Sequence, residues 1–118
     1  MRPRPSPPAP PVPSLSPVEA QGLLTSGRDD VLLLDVREPE EQALAGVAGA
    51  LCIPMELLWG RLAEIPREKQ VLVLCHHGIR SWHVAHALLA HGWPRVANVA
   101  GGIDRWSAEA DPSIPRYE

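Results

Sequence analysis

The chain has 118 residues, enough for one domain with a sizeable buried core, and its formal net charge is −3. This slightly acidic balance argues against nucleic acid or an anionic membrane as the main partner. No apolar run approaches the roughly 18 residues that cross a bilayer. Two cysteines are too few for a disulfide framework, which favours reduced thiols and a cytoplasmic location.

The first segment differs in composition from the rest. Residues 1–17 hold eight of the fourteen prolines and lack the hydrophobic middle of a signal peptide. We therefore predict a disordered proline-rich leader at residues 1–13 and a folded domain at residues 14–118. An alternative for the leader is a polyproline ligand around residues 8–11.

After the leader, short apolar runs alternate with helix-spaced patterns. Strands are predicted at residues 12–15, 31–35, 50–53, 70–74 and 96–99. Helices are predicted at residues 17–26, 39–44, 55–65, 81–91 and 103–110. The run before Asp35 is continuously apolar, as is typical of a strand covered on both faces. The alternation predicts an α/β fold, a three-layer α/β/α domain with a central, mostly parallel, five-stranded sheet.

The helix-spaced patterns also predict which side chains face the core. In the first helix these are Val18, Leu23 and Leu24. In the helix at 55–65 they are Leu57, Leu58, Leu62 and Ile65.

Cys75 follows the apolar run at residues 70–74 and precedes a tight, glycine-containing loop into the next helix. In a parallel sheet, ligands bind beyond the carboxyl ends of the strands. A helix N-terminus and the nearby Arg80 would lower the pKa of a thiol from its usual value of about 8.5. The segment from Cys75 to Ser81 therefore predicts a nucleophilic cysteine that handles an anionic group.

Two other strand ends carry candidate residues. Asp35 and Arg37 follow the second strand, and Gly101 and Gly102 follow the fifth. We expect Asp35 to form a structural ion pair with Arg37, whose guanidinium could also attract anions into the pocket.

Three motifs in this order resemble the rhodanese domain, a sulfurtransferase module that carries sulfur as a cysteine persulfide. They are Leu-Asp-Val-Arg-Glu-Pro-Glu-Glu at 34–41, Cys-His-His-Gly-Ile-Arg-Ser at 75–81 and Gly-Gly-Ile-Asp-Arg-Trp at 101–106. The resemblance spans about residues 14–110. There is one departure, since Gly46 and Ala48 stand where relatives commonly have histidine and proline.

The resemblance implies that Cys75 is the catalytic nucleophile. A sulfane sulfur would move from thiosulfate or a persulfide donor to Cys75, and then to a thiol or cyanide. The expected donor-binding residues are His76, His77, Gly78, Ile79 and Arg80 of the loop, together with Arg37. Asp35 and Ser81 are expected to support them. Neither a cofactor nor a metal is expected, and the domain is expected to be a monomer.

Two alternatives stay open at this point. One is a non-catalytic, rhodanese-like module that binds partners. The other is a cysteine phosphatase or arsenate reductase, although the four residues between Cys75 and Arg80 are one fewer than in the phosphatase loop.

The remaining candidates have structural interpretations. His83, His86 and His91 are expected on a solvated helix surface and not at a zinc site. Cys52 and Trp106 are predicted to lie in the core. Trp82 is predicted to line the pocket beside the cysteine loop.

Overall fold

A computed structural model describes residues 11–118. The predicted disorder of the leader up to residue 10 lies outside the described residues, as does all of the polyproline alternative except Pro11. Residues 11–13 belong to the folded part: Val12 packs against the core, and the Asn98 N–H donates to the Pro13 carbonyl at 2.8 Å. Residues 12 and 13 thus contact the folded domain, and a boundary at residue 14 stays a prediction.

Five parallel strands form one sheet in the order β1-β5-β4-β2-β3, which confirms the predicted fold class. The strands are β1 (Ser14–Leu15), β2 (Val31–Asp35), β3 (Leu51–Cys52), β4 (Gln70–Leu74) and β5 (Val96–Val99). The central strands β2 and β4 pair over five residues each, from Val31 opposite Gln70 to Asp35 opposite Leu74. Their carboxyl ends therefore lie side by side.

Residues 11–118 contain four α-helices: α1 (Pro17–Leu24), α2 (Pro39–Leu44) and α3 (Ile79–Ala90), which lie between strands, and α4 (Gly102–Glu109), which follows β5. The start of α1 shows why the chain turns helical there. The Ser16 side chain accepts from the Glu19 N–H, the Glu19 carboxylate accepts from the Ser16 N–H, and Pro17 presets the first helical residue. Within residues 11–118, none of the helices has the length and apolar composition to cross a membrane.

The core lies on both faces of the sheet because side chains alternate along each strand. In β4, Val71 and Val73 pack towards α3, whereas Leu72 and Leu74 pack towards α1 and α4. All four are fully buried, and burying each contributes about 1.5–3 kcal/mol. The same alternation directs the next odd-numbered side chain, Cys75, to the α3 face.

The prediction of an α-helix at residues 55–65 is wrong. The chain forms two 3-10 helices, Met55–Gly60 and Leu62–Glu64, separated at Arg61. The tighter winding turns Leu57 outwards, with 54% of its surface exposed, while Leu58 and Ile65 remain in the core.

Besides Leu57, two other predicted core side chains lie on the surface. Val18 is 52% exposed, because α1 turns Pro17 and Ala20 towards the sheet. Cys52 is exposed on the edge strand β3. Trp106, in contrast, is buried as predicted.

Candidate active site

Cys75 lies immediately after β4, with its side chain 1% exposed against the start of α3. The Gly78 N–H donates to the Cys75 Sγ at 3.1 Å. Gly78 adopts a φ of +97°, a left-handed conformation that side chains disfavour, and this turn directs its amide at the sulfur. The helix begins at Ile79, two residues earlier than predicted, so Arg80 belongs to its first turn.

A series of buried hydrogen bonds connects the Cys75 sulfur with Ser81, Asn98 and Gly78. The Ser81 Oγ lies 3.1 Å from the Cys75 Sγ and donates to the Asn98 Oδ1 at 2.6 Å. The Asn98 Nδ2 in turn donates to the Gly78 carbonyl at 3.1 Å. Because the Ser81 proton is given to Asn98, the Ser81 oxygen presents a lone pair to a Cys75 thiol.

The start of α4 closes the other side of the loop. The Ile103 N–H donates to the Cys75 carbonyl at 2.9 Å, and the Asp104 N–H donates to the His76 carbonyl at 3.1 Å. Gly102 makes this approach possible: a Cβ there would lie 2.3 Å from the His76 oxygen. The two glycines singled out by the sequence thus bring α4 against the cysteine loop.

Arg37 is fully buried and forms an ion pair with Asp35, at 2.7 Å between Nη2 and Oδ2. The guanidinium also donates to the backbone carbonyls of Glu41 and Ala45 and to the Tyr117 hydroxyl. Burial by itself lowers the pKa of Arg37, but the hydrogen bonds to Asp35 raise it above the usual value. This geometry supports the structural ion pair, and it does not support the expectation that Arg37 binds a substrate anion, because its donors are occupied inside the protein.

Arg80 is also held in an ion pair. Its Nη1 and Nη2 each donate to one carboxylate oxygen of Glu41, both at 2.7 Å. The Tyr117 hydroxyl donates to the Glu41 Oε1 at 3.0 Å. The hydrogen bond from Arg80 lowers the pKa of Glu41 to about 2, so both members of the pair are charged at neutral pH.

The two loop histidines differ in exposure. His76 is 8% exposed, stacks between His77 and Tyr117, and has its Nε2 2.8 Å from the Tyr117 carbonyl oxygen. His77 is exposed. Asp104 lies beside them, and these three form a group among the described residues that could hold a metal ion, with ligand atoms within 4.8 Å of one another. Arg116 occupies both oxygens of Asp104 at 3.0 Å and would have to leave first.

A depression of about 290 Å³ opens at this site and is lined by Cys75, His76, His77, Ile79 and Arg80. All five are residues that the sequence predicted for catalysis or donor binding. Three larger depressions hold none of these side chains: two of about 680 and 580 Å³ lie near the starts of β4 and β5, and one of about 310 Å³ is lined by Asp104, Arg116, Tyr117 and Glu118. We place the candidate active site at the smaller depression because it contains the thiol and the end of the central strand.

The surrounding aromatic and histidine side chains lie on the surface. Trp82 is 42% exposed, stacks on His86 and does not line the depression. His83, His86 and His91 are exposed, as predicted for a solvated helix surface.

Sequence reasoning missed three residues of the site. Asn98 carried a usable signal, because a polar residue inside the buried strand β5 needs a hydrogen-bond partner. Glu41 appeared only as the last residue of the motif at 34–41. Tyr117 is the single tyrosine of the chain, and nothing in its local sequence places it beside His76 and Glu41.

Comparison with known proteins gives a consistent picture. The sequence model of the rhodanese-like domain family matches residues 16–109 of this chain. A sulfurtransferase of Allochromatium vinosum is 38% identical over 86 residues, which cover 73% of this chain and 80% of that protein. The thiosulfate sulfurtransferase GlpE of Coxiella burnetii is 35% identical over 79 residues, covering 67% of this chain and 74% of that protein.

Among solved structures, a rhodanese-like domain protein of Staphylococcus aureus superposes with a TM-score of 0.77 at 27% identity. The match covers 91% of this chain and all of that one. Some relatives are much longer: the chain spans 31% of the rhodanese-like/PpiC domain-containing protein 12 of Arabidopsis thaliana, at 39% identity. The three motifs, the parallel sheet and these matches agree, and the chain belongs to the rhodanese-like domain family.

Proposed function

We propose that the protein is a sulfurtransferase that carries sulfane sulfur as a persulfide on Cys75. The observation that carries the proposal is the position of the Cys75 Sγ at the end of β4, where it accepts the Gly78 N–H at the start of α3. The names of the relatives from Allochromatium vinosum and Coxiella burnetii support sulfur transfer in general.

In the first half-reaction, the Cys75 thiolate attacks the outer sulfur of the donor. With thiosulfate, the new bond joins the Cys75 Sγ to the outer sulfur, the bond to the sulfonate sulfur breaks, and sulfite leaves with its electron pair. The product is a Cys75 persulfide anion. The Gly78 amide and the N-terminal end of α3 supply partial positive charge where this sulfur anion develops.

In the second half-reaction, a thiol or cyanide attacks the outer sulfur of the persulfide. The sulfur–sulfur bond breaks, Cys75 leaves as a thiolate, and the acceptor becomes a persulfide or thiocyanate. The exchange follows the chemistry of thiolate attack on disulfides, and it needs no change in the oxidation state of a cofactor.

The test compares the wild type with Cys75→Ser and with Cys52→Ser, which removes the other thiol. We expect thiocyanate release from thiosulfate and cyanide, and a mass gain of one sulfur atom, in the wild type and Cys52→Ser but not in Cys75→Ser. Turnover that persists in Cys75→Ser would refute the mechanism. A folded wild type that accepts sulfur from no donor would indicate the non-catalytic module, and cleavage of a chromogenic phosphate ester would indicate the phosphatase alternative.

A further inference from the structure

Arg80, which the sequence predicted to bind the anionic donor, is neutralised by Glu41. The pair is bidentate, and each Glu41 oxygen accepts a second hydrogen bond, one from the Tyr117 hydroxyl and one from the Glu38 N–H. Four donors therefore hold the carboxylate beside the depression that contains Cys75. About one third of the Arg80 side chain is exposed, so the pair lies at the rim, where an arriving donor meets it.

The other arginines close to the loop are also paired. Arg37 is buried against Asp35, and Arg116 binds both oxygens of Asp104. These three ion pairs therefore contribute no net charge beside the depression. What remains to attract the donor is the partial charge of backbone amides at the start of α3.

We propose that Glu41 is a specificity-determining residue, which makes the site favour persulfide donors over the thiosulfate dianion. The inference depends on the proposed sulfur transfer and deepens it. With Cys75 as a thiolate, the group formed by Cys75, Arg80 and Glu41 has a net charge of −1. A dianion is repelled by this group twice as strongly as a donor with one negative charge.

The favoured step is balanced as follows. The Cys75 thiolate attacks the outer sulfur of a protonated persulfide, R–S–SH, and forms a sulfur–sulfur bond with it. The R–S bond to that sulfur breaks, and R–S⁻ leaves with the electron pair. The proton stays on the transferred sulfur, so Cys75 becomes a neutral persulfide and the charge passes to the leaving thiolate.

The experiment measures kcat/KM with thiosulfate and with cysteine persulfide, at low ionic strength, in the wild type and two variants. Glu41→Gln removes the carboxylate charge and keeps an oxygen that accepts hydrogen bonds. Glu40→Gln is the matched control, because it makes the same change in net charge one residue away, at an exposed position of α2.

We expect Glu41→Gln to raise kcat/KM about five-fold with thiosulfate, as a lost negative charge several ångströms away predicts, and to change it by less than two-fold with cysteine persulfide, whose protonated form has no net charge. Glu40→Gln should change neither value by as much as two-fold. Added salt should slightly raise the wild-type value for thiosulfate, because screening weakens the repulsion, and should change that of Glu41→Gln less, because Cys75 and Arg80 together have no net charge.

An unchanged ratio of the two kcat/KM values in Glu41→Gln would overturn the donor assignment alone. If the ratio is unchanged because both values fall equally, Glu41 only holds the loop in place. If sulfur reaches Cys75 from neither donor in the wild type, the proposed function itself fails, and the inference fails with it.

Discussion

Gly102 is where α4 approaches the cysteine loop most closely, and Gly102→Ala gives a direct test of this packing. A Cβ at Gly102 would lie 2.3 Å from the His76 oxygen and 2.5 Å from the Cys75 oxygen. Ordinary contacts are about 3.5–4.0 Å, so α4 or the loop must shift by about 1 Å. Both crowding atoms are backbone carbonyls, which cannot rotate away as a long side chain would.

The expected cost has three parts. Gly102 has a φ of +62°, and an alanine in the left-handed region costs about 1–2 kcal/mol, partly offset by about 0.4–1 kcal/mol from the less flexible unfolded chain. The overlap adds about 1–3 kcal/mol. Moving α4 also lengthens the hydrogen bonds from Ile103 and Asp104 to the two carbonyls, each worth about 1 kcal/mol.

Gly27→Ala is the matched control. Gly27 has a φ of +84°, and its Cβ would meet nothing within 4 Å, so this variant has the backbone cost without the overlap. In urea unfolding we expect Gly102→Ala to lose about 2–4 kcal/mol more than Gly27→Ala. Sulfur transfer should also fall in Gly102→Ala, because the carbonyl of Cys75 moves with the loop. Equal losses of unfolding free energy in the two variants would refute the close packing of α4 on this loop.

Two further predictions concern the polar groups of the site. Asn98→Ala removes the acceptor of the Ser81 proton and the donor to the Gly78 carbonyl, so we expect a loss of about 1–3 kcal/mol in urea unfolding and slower sulfur transfer; unchanged values for both would contradict the hydrogen-bond chain. The pKa of Glu41 is lowered from 4.5 to about 2 by Arg80, so the stabilisation by this pair is fully present above about pH 5 and is lost as the pH falls towards 2. The difference in unfolding free energy between the wild type and Glu41→Gln should therefore shrink over that interval, and a constant difference would contradict the pairing.

The sheet could be predicted because its central strands are short apolar runs in the sequence. The runs at residues 31–35 and 70–74 are the observed β2 and β4, and the run at 96–99 is β5. These strands are covered by helices on both faces, which leaves no polar side to obscure the pattern. The cysteine loop followed from the same logic, because a residue after a central parallel strand lies at the carboxyl edge of the sheet.

The segment at 55–65 shows where periodicity stops being informative. Apolar residues spaced by three and four suit an α-helix and also two successive 3-10 turns, since a side chain three positions along stays near the same face in both. The choice depends on packing against the sheet, where Leu58 and Ile65 are buried and Leu57 is not. That packing cannot be predicted from the local sequence.

Some hydrogen-bond partners of the site's arginines could not be predicted, because they lie far from the arginines in sequence. The sequence placed Arg37 and Arg80 near Cys75 and predicted an ion-pair partner, Asp35, for Arg37 alone. In the structure Arg80 donates to Glu41, 39 residues away, and Arg37 also donates to Tyr117, 80 residues away. Such partners become visible only when α2, the start of α3 and the C-terminal segment meet in the folded chain.

The contact between α2 and the start of α3 changes the net charge of the site. A positive loop beside a thiolate would be expected from the cysteine motif alone, but the folded chain places a carboxylate on its arginine. The backbone geometry that holds the sulfur, through Gly78 and Gly102, is separate from the side-chain charges that meet the donor, through Arg80 and Glu41. Substitutions at the glycines should therefore affect the transfer of sulfur from every donor, whereas substitutions at Glu41 should change which donor is preferred.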